Sequence, residues 1–123
     1  MADYREISQA YAQGAIKAAL LINGAAAIAL LAQAPNLASY GIGEEIGLSL
    51  TLWTGGVTIA ALTWVLGFLS TRYVDKGIVE GSAAHMATSD RLMLFGVVMV
   101  VLSMACFATG CLLMAEAYQR AFT

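Results

Sequence analysis

Three long apolar runs, Ala15–Ala34, Ile46–Ser70 and Leu92–Ala115, alternate with short polar stretches along the chain. Each is about 20–25 residues long, enough helix to cross the roughly 30 Å hydrocarbon core of a bilayer. Together they hold one charged residue, Lys17, near the start of the first. The pattern predicts an all-α integral membrane bundle of three transmembrane helices, folded as a single domain over residues 1–123. Residues 1–14 read as an interfacial lead-in in which Tyr4, Ile7 and Tyr11 are spaced three or four apart. Spans follow at 15–34, 46–70 and 92–117, and residues 71–91 form the one sizeable polar connection.

The punctuation between runs is sparse. Pro35-Asn36 is expected to end the first span, because proline cannot extend a helix and disfavours helix just before itself. Tyr40-Gly41-Ile42-Gly43 reads as a flexible turn. In the connection, Tyr73, Val74, Ile78 and Val79 suggest one short interfacial helical turn between Gly77 and Gly81. Thr88-Ser89-Asp90 offers an N-cap for the third span. Ala32-Gln33-Ala34 has the pattern of a signal-peptide cleavage site. Asp3 and Glu6 beside Arg5, with Pro35 directly after the scissile bond, favour a retained span instead.

Charge orients the bundle. Arg5, Lys17, Arg72, Lys76 and Arg91 fall on the side shared by the N-terminal segment and the second connection, and Arg120 alone falls on the other. The first connection carries Glu44 and Glu45 and no base. The positive-inside rule then predicts the N-terminus inside and the C-terminus outside, with Lys17 snorkelling back to the inner headgroups. The expected location is a bacterial inner (cytoplasmic) membrane. Composition agrees with a membrane chain: 60% of residues are hydrophobic and 11% charged, against about 25% charged in soluble domains. A net charge of −2 gives no basic surface for nucleic acid.

Helices in lipid associate through close packing of small residues and interhelical hydrogen bonds. Gly, Ala and Ser make up about a third of this chain, and they fall into register. Ser49, Gly56, Thr63 and Ser70 repeat every seven residues, with Ala60 and Gly67 on the same side. Gly96, Ser103, Gly110 and Ala117 do the same in the third span. A sustained seven-residue period predicts gently crossed, left-handed packing. Gly56, Ala60, Gly67, Gly96, Ser103 and Gly110 are the expected packing positions. In the first span Gly14, Ala18, Ala25, Ala29 and Ala32 share one face, the expected packing stripe, and Asn23 lies nearly opposite. Thr51, Thr54 and Thr58 likewise form a row opposite the small stripe of the second span. Asn23 and the three threonines are the expected polar lining or interface of a larger assembly. The bland alternative is that each hydroxyl bonds the carbonyl one turn back.

Reactive groups are few. His85 is the only histidine and sits in the polar connection, so two histidines cannot ligate a haem within one chain and a zinc site lacks ligands. Cys106 and Cys111 lie five apart, about 140° around a helix, and suit packing better than metal. No carboxylate lies at mid-membrane depth, where proton-coupled transport usually places one. The size and three-span layout resemble, in architecture alone, the small trimeric bacterial diacylglycerol kinases. An ATP-using lipid kinase needs several acidic metal ligands near the inner face, and Asp75, Glu80 and Asp90 do not match that need. The expectation is therefore no enzyme, no cofactor and no metal. Two functions fit: a self-assembling three-span module that alters membrane permeability, like holins or small toxin-like effectors, and an accessory subunit stabilising a larger membrane complex. The bilayer is a partner in both, with either a homo-oligomer or a larger membrane complex around the chain.

Overall fold

The computed structural model describes residues 3–123, and the chain is helical almost throughout. It contains α1 (Tyr4–Ala38), α2 (Gly43–Glu80) and α3 (Ala83–Phe122), of 35, 38 and 40 residues. At 1.5 Å per residue these are roughly 50–60 Å long. All three are long and apolar enough to cross a membrane, and their polar ends extend past the apolar runs.

Local chemistry sets the ends. Asp3 caps α1, its carboxylate accepting from the Arg5 N–H at 2.9 Å. Pro35 does not stop this helix. It lies inside α1, which continues to Ala38 and is closed by Ser39. Proline removes one backbone donor, and the turn that follows it needs none from that ring. A four-residue turn, Ser39–Ile42, leads to α2, with Gly41 in the left-handed region at φ 77°. Glu44 and Glu45 then occupy the first turn of α2, where negative charge complements the helix dipole.

The polar connection is itself helical. α2 runs unbroken through Thr71 to Glu80, and α3 begins at Ala83, so the turn is only Gly81-Ser82. Gly81 adopts φ 62°, and both its N–H and that of Ser82 reach the Gly77 carbonyl, closing the helix end. The cap of α3 is Ser82, whose hydroxyl accepts from the His85 N–H, rather than the expected Thr88-Ser89-Asp90. Polarity marks where lipid ends; it does not break a helix. Only Gly81 does.

α2 and α3 pack antiparallel along most of their length, and α1 lies mainly against α2. The buried residues of α2 are Ile46, Ser49, Trp53, Gly56, Ala60, Thr63, Ser70 and Gly77, and those of α3 are Ser89, Gly96, Ser103, Gly110 and Ala117. The heptad stripes of these two helices face each other. α1 behaves otherwise. It buries Ile16, Ala19, Asn23, Ala27 and Leu30 and turns Gly14, Ala18, Ala25, Ala29 and Ala32 outward. The expected packing stripe of the first span is its exposed side. One buried amide outweighs several alanines, because an unpaired amide in hydrocarbon costs several kcal/mol whereas an outward alanine costs little.

Candidate functional site

The centre of the bundle is a ladder of hydroxyls and glycines between α2 and α3. The Ser49 hydroxyl donates to the Gly110 carbonyl at 3.2 Å. One heptad on, the Ser103 hydroxyl of the opposite helix donates to the Gly56 carbonyl at 2.8 Å. In the next layer the Thr63 methyl faces Gly96, where an added Cβ would meet it at 3.6 Å, and the last layer joins the Ser70 and Ser89 hydroxyls at 2.9 Å. In the first three layers a hydroxyl residue faces a glycine, and the hydroxyl alternates between helices. A glycine leaves the facing backbone bare, which lets a short side chain reach its carbonyl.

Asn23 ties α1 into this ladder. It is completely buried, and its amide nitrogen donates to the carbonyl of Ala19 at 3.0 Å and to the carbonyl and hydroxyl of Ser103, both at 3.2 Å. The amide lies directly over Gly56, where an added Cβ would stand 2.5 Å from the Asn23 Cγ. The Asn23 Oδ1 has no conventional donor. It faces the Gly56 position from which a Cβ would project. Asn23, Gly56 and Ser103 thus form one node joining all three helices. Trp53 makes the next contact: its indole N–H donates to the Phe107 carbonyl at 3.1 Å, and its ring fills the space over Gly110.

The other expected residues are placed as follows. Ala60 is fully buried in the α2 stripe. Gly67 is exposed, and a Cβ there would meet nothing within 4 Å, so it makes no helix contact. Thr51, Thr54 and Thr58 are exposed on the outer side of α2, and each hydroxyl donates to the carbonyl one turn back, of Gly47, Leu50 and Thr54, at 2.7–3.0 Å. Asn23 and the threonines, grouped together by the sequence, are therefore on opposite sides of the molecule: the amide inside the protomer, the hydroxyls outside.

Sequence reasoning missed two features. At the end holding the α2–α3 turn, α1 stands off and leaves a crevice of about 310 Å³, lined by Gln9, Gln13 and Ile16 of α1, Trp64, Phe68 and Thr71 of α2, and Met93 of α3, among others. Its floor includes Gly67. Nothing in the helical periodicity signals a gap between helices. At the same end His85 is not a loop residue: it lies in the first turn of α3, its Nε2 3.0 Å from a Glu80 carboxylate oxygen and its ring 5.9 Å from that of Tyr73. At the opposite end Arg120 pairs with Glu45 at 2.8 Å, and Tyr40, Tyr118 and Phe122 stack in one cluster. Among the described residues, no three His, Cys, Asp or Glu side chains converge as metal ligands would.

Comparison with protein families, with curated proteins and with solved structures finds no match to this chain.

Proposed function

We propose that this protein is a non-enzymatic helix-docking module of the membrane, an accessory subunit that stabilises a larger membrane assembly. The observation that carries this reading is the orientation of α1. Its small residues, Gly14, Ala18, Ala25, Ala29 and Ala32, all face outward, where a second helix can approach closely through dispersion contacts. The one strongly polar mid-span group, Asn23, is engaged within the protomer. It is therefore not free to line a water-filled path. The chain lies with its N-terminus inside a bacterial cytoplasmic membrane, a reading supported by the basic residues near the α2–α3 turn and the acidic start of α2.

Leucine at Ala25 and Ala29 tests the reading. The double variant should keep the stability of the isolated protomer and lose co-purification with its membrane complex. A protomer that is monomeric in native membranes, with no crosslink from a photoreactive residue at Ala25, defeats it. A cysteine at Ser39 labelled from the cytoplasmic side, or one at Ser82 labelled from outside, defeats the orientation.

A second reading, a self-assembled permeability path, is favoured by the outward row of Thr51, Thr54 and Thr58. Rings of such hydroxyls without fixed charge would give a weakly selective lining. Dye release from liposomes holding the purified protein, with poor discrimination between cations and anions, is its signature.

A further inference from the structure

The crevice beside α1 has the polarity of an amphiphile. Gln9 and Gln13 precede the first apolar run and Thr71 follows the second, so the polar side chains lie toward the water. Ile16, Trp64, Phe68 and Met93 belong to the apolar runs and lie toward the hydrocarbon. The volume, about 310 Å³, is at the lower end of small-ligand sites, roughly 300–1,000 Å³. Its floor is open over Gly67.

The charge at its edge is equally specific. Lys17 is the one charged residue within the three apolar runs, and its Nζ stands 6.0 Å from the centre of the Trp64 ring, which is part of the crevice wall. The two ion pairs among the described residues, Glu80–His85 and Glu45–Arg120, do not involve it. Arg72 and Lys76 border a separate hollow of about 220 Å³ with Leu69 and Tyr73, on another face of α2. None of the acids at this end, Asp3, Glu6, Asp75, Glu80 and Asp90, lines either cavity. A cation at the hydrocarbon boundary, beside a slot that is apolar below and carries amides above, complements one membrane component.

We propose that the crevice binds an anionic phospholipid from the surrounding bilayer. One acyl chain lies against Ile16, Phe68 and Trp64 over the bare surface of Gly67, and the phosphate is held near Lys17 by its ammonium and the amide donors of Gln9 and Gln13. The site goes beyond the docking role of α1 and stands whether or not that role does, since it uses the inward edge of α1 and not its outward small residues.

The test uses the full chain in a neutral detergent and phosphatidylglycerol or phosphatidylcholine with brominated acyl chains, which quench nearby indoles. The Trp64 signal is the difference between the wild type and Trp64→Phe; Trp53 is buried. Quenching by the brominated phosphatidylglycerol should saturate at roughly fivefold lower lipid than by the phosphatidylcholine, the preference expected from one lysine beside an anionic headgroup. Lys17→Gln should bring the two lipids to parity. Gly67→Phe puts a ring into the slot from a position where an added Cβ meets nothing within 4 Å and should abolish saturable quenching; Gly67→Leu, a smaller filler, should weaken it and serves if the phenylalanine variant does not fold. Equal saturation by both lipids in the wild type overturns the proposal. So does wild-type quenching in a folded Gly67 variant, or a second copy of the chain that shields Trp64 from both lipids.

Discussion

The two ends of this bundle are built on different principles, with Asn23 between them. Toward the α1–α2 turn the interior is a packed apolar core: Ala27, Leu30, Ile42, Ile46, Trp53 and Ala117 bury one another, with Leu37, Phe107 and Met114 around them. The Glu45–Arg120 pair and the aromatic cluster of Tyr40, Tyr118 and Phe122 close that end. Toward the α2–α3 turn, α2 and α3 stay in contact through the Ser70–Ser89 pair and the Gly77–Met86 contact, but α1 stands away. The same three helices are a sealed core at one end and an open clamp at the other. The short Ser39–Ile42 turn explains part of the asymmetry. It ties α1 to α2 where the core is packed, at the end away from the crevice.

Adding bulk should be damaging at Gly110 in the sealed half and harmless at Gly67 in the open one. The largest effect is expected for Gly110→Leu. A Cβ there would stand 2.8 Å from the Trp53 Cε2, so the ring must leave its pocket and give up its bond to Phe107. Overpacking of this kind costs about 1–3 kcal/mol, and the loss of the indole hydrogen bond adds to it. Gly67→Leu, in an equivalent small-residue setting by sequence, should change stability by less than about 0.5 kcal/mol, as exposed substitutions usually do. Reversible unfolding in mixed micelles measures both. Equal losses at the two sites would erase the distinction between the halves.

The next effect belongs to the divider. Asn23→Leu removes two bonds to Ser103 and puts a branched side chain over Gly56. Interhelical hydrogen bonds in membrane bundles average about 0.6 kcal/mol each and reach roughly 1.7, so a loss of about 1–2 kcal/mol is expected. Ile22→Leu should be neutral by comparison. Hydrogen exchange sharpens the claim, because exchange should quicken along α1 and leave α2 and α3 slow. Uniform acceleration across all three helices would mean that Asn23 holds the whole bundle and not the α1 seam. Ser70→Ala should be milder still, near 0.6 kcal/mol, since a single hydroxyl is lost, the one shared between the Ser89 hydroxyl and carbonyl.

These contrasts show which parts of the fold were legible in the sequence. The three apolar runs dictate three helices because hydrocarbon tolerates no other open-chain structure. The α2 and α3 stripes were legible because their small residues alternate with bulky ones at a strict heptad. α1 was not, because alanine is so common in Ala15–Ala34 that a small-residue face appears on either side. Asn23 was the informative residue there, and its cost in lipid decides which side turns in. The helix ends differ from expectation at Pro35 and at Thr71–Asp90 for one reason: neither polarity nor a single missing donor breaks a helix here, and the turns fall at the left-handed glycines Gly41 and Gly81. The crevice had no sequence signal, because a gap between helices depends on how far they splay and not on any one periodicity.

The smallest effect separates the protomer from whatever it joins. Thr51, Thr54 and Thr58 each bond a carbonyl of their own helix, so valine at all three should cost the isolated protomer less than about 0.5 kcal/mol. Valine keeps the shape and removes the hydroxyl, which makes any change in assembly a report on polarity alone. An outward row that merely faces lipid should lose nothing in the triple variant, and accessory-subunit co-purification should persist. A row that lines water between protomers should lose ion and dye flux, because dewetting of an apolar ring closes such a path. The protomer would stay folded in both cases, so the two outcomes distinguish a docking module from a permeability path without confusion from unfolding. Flux that is present in the wild type and unaltered by the three valines would place the path elsewhere and remove the one observation that favours a threonine lining.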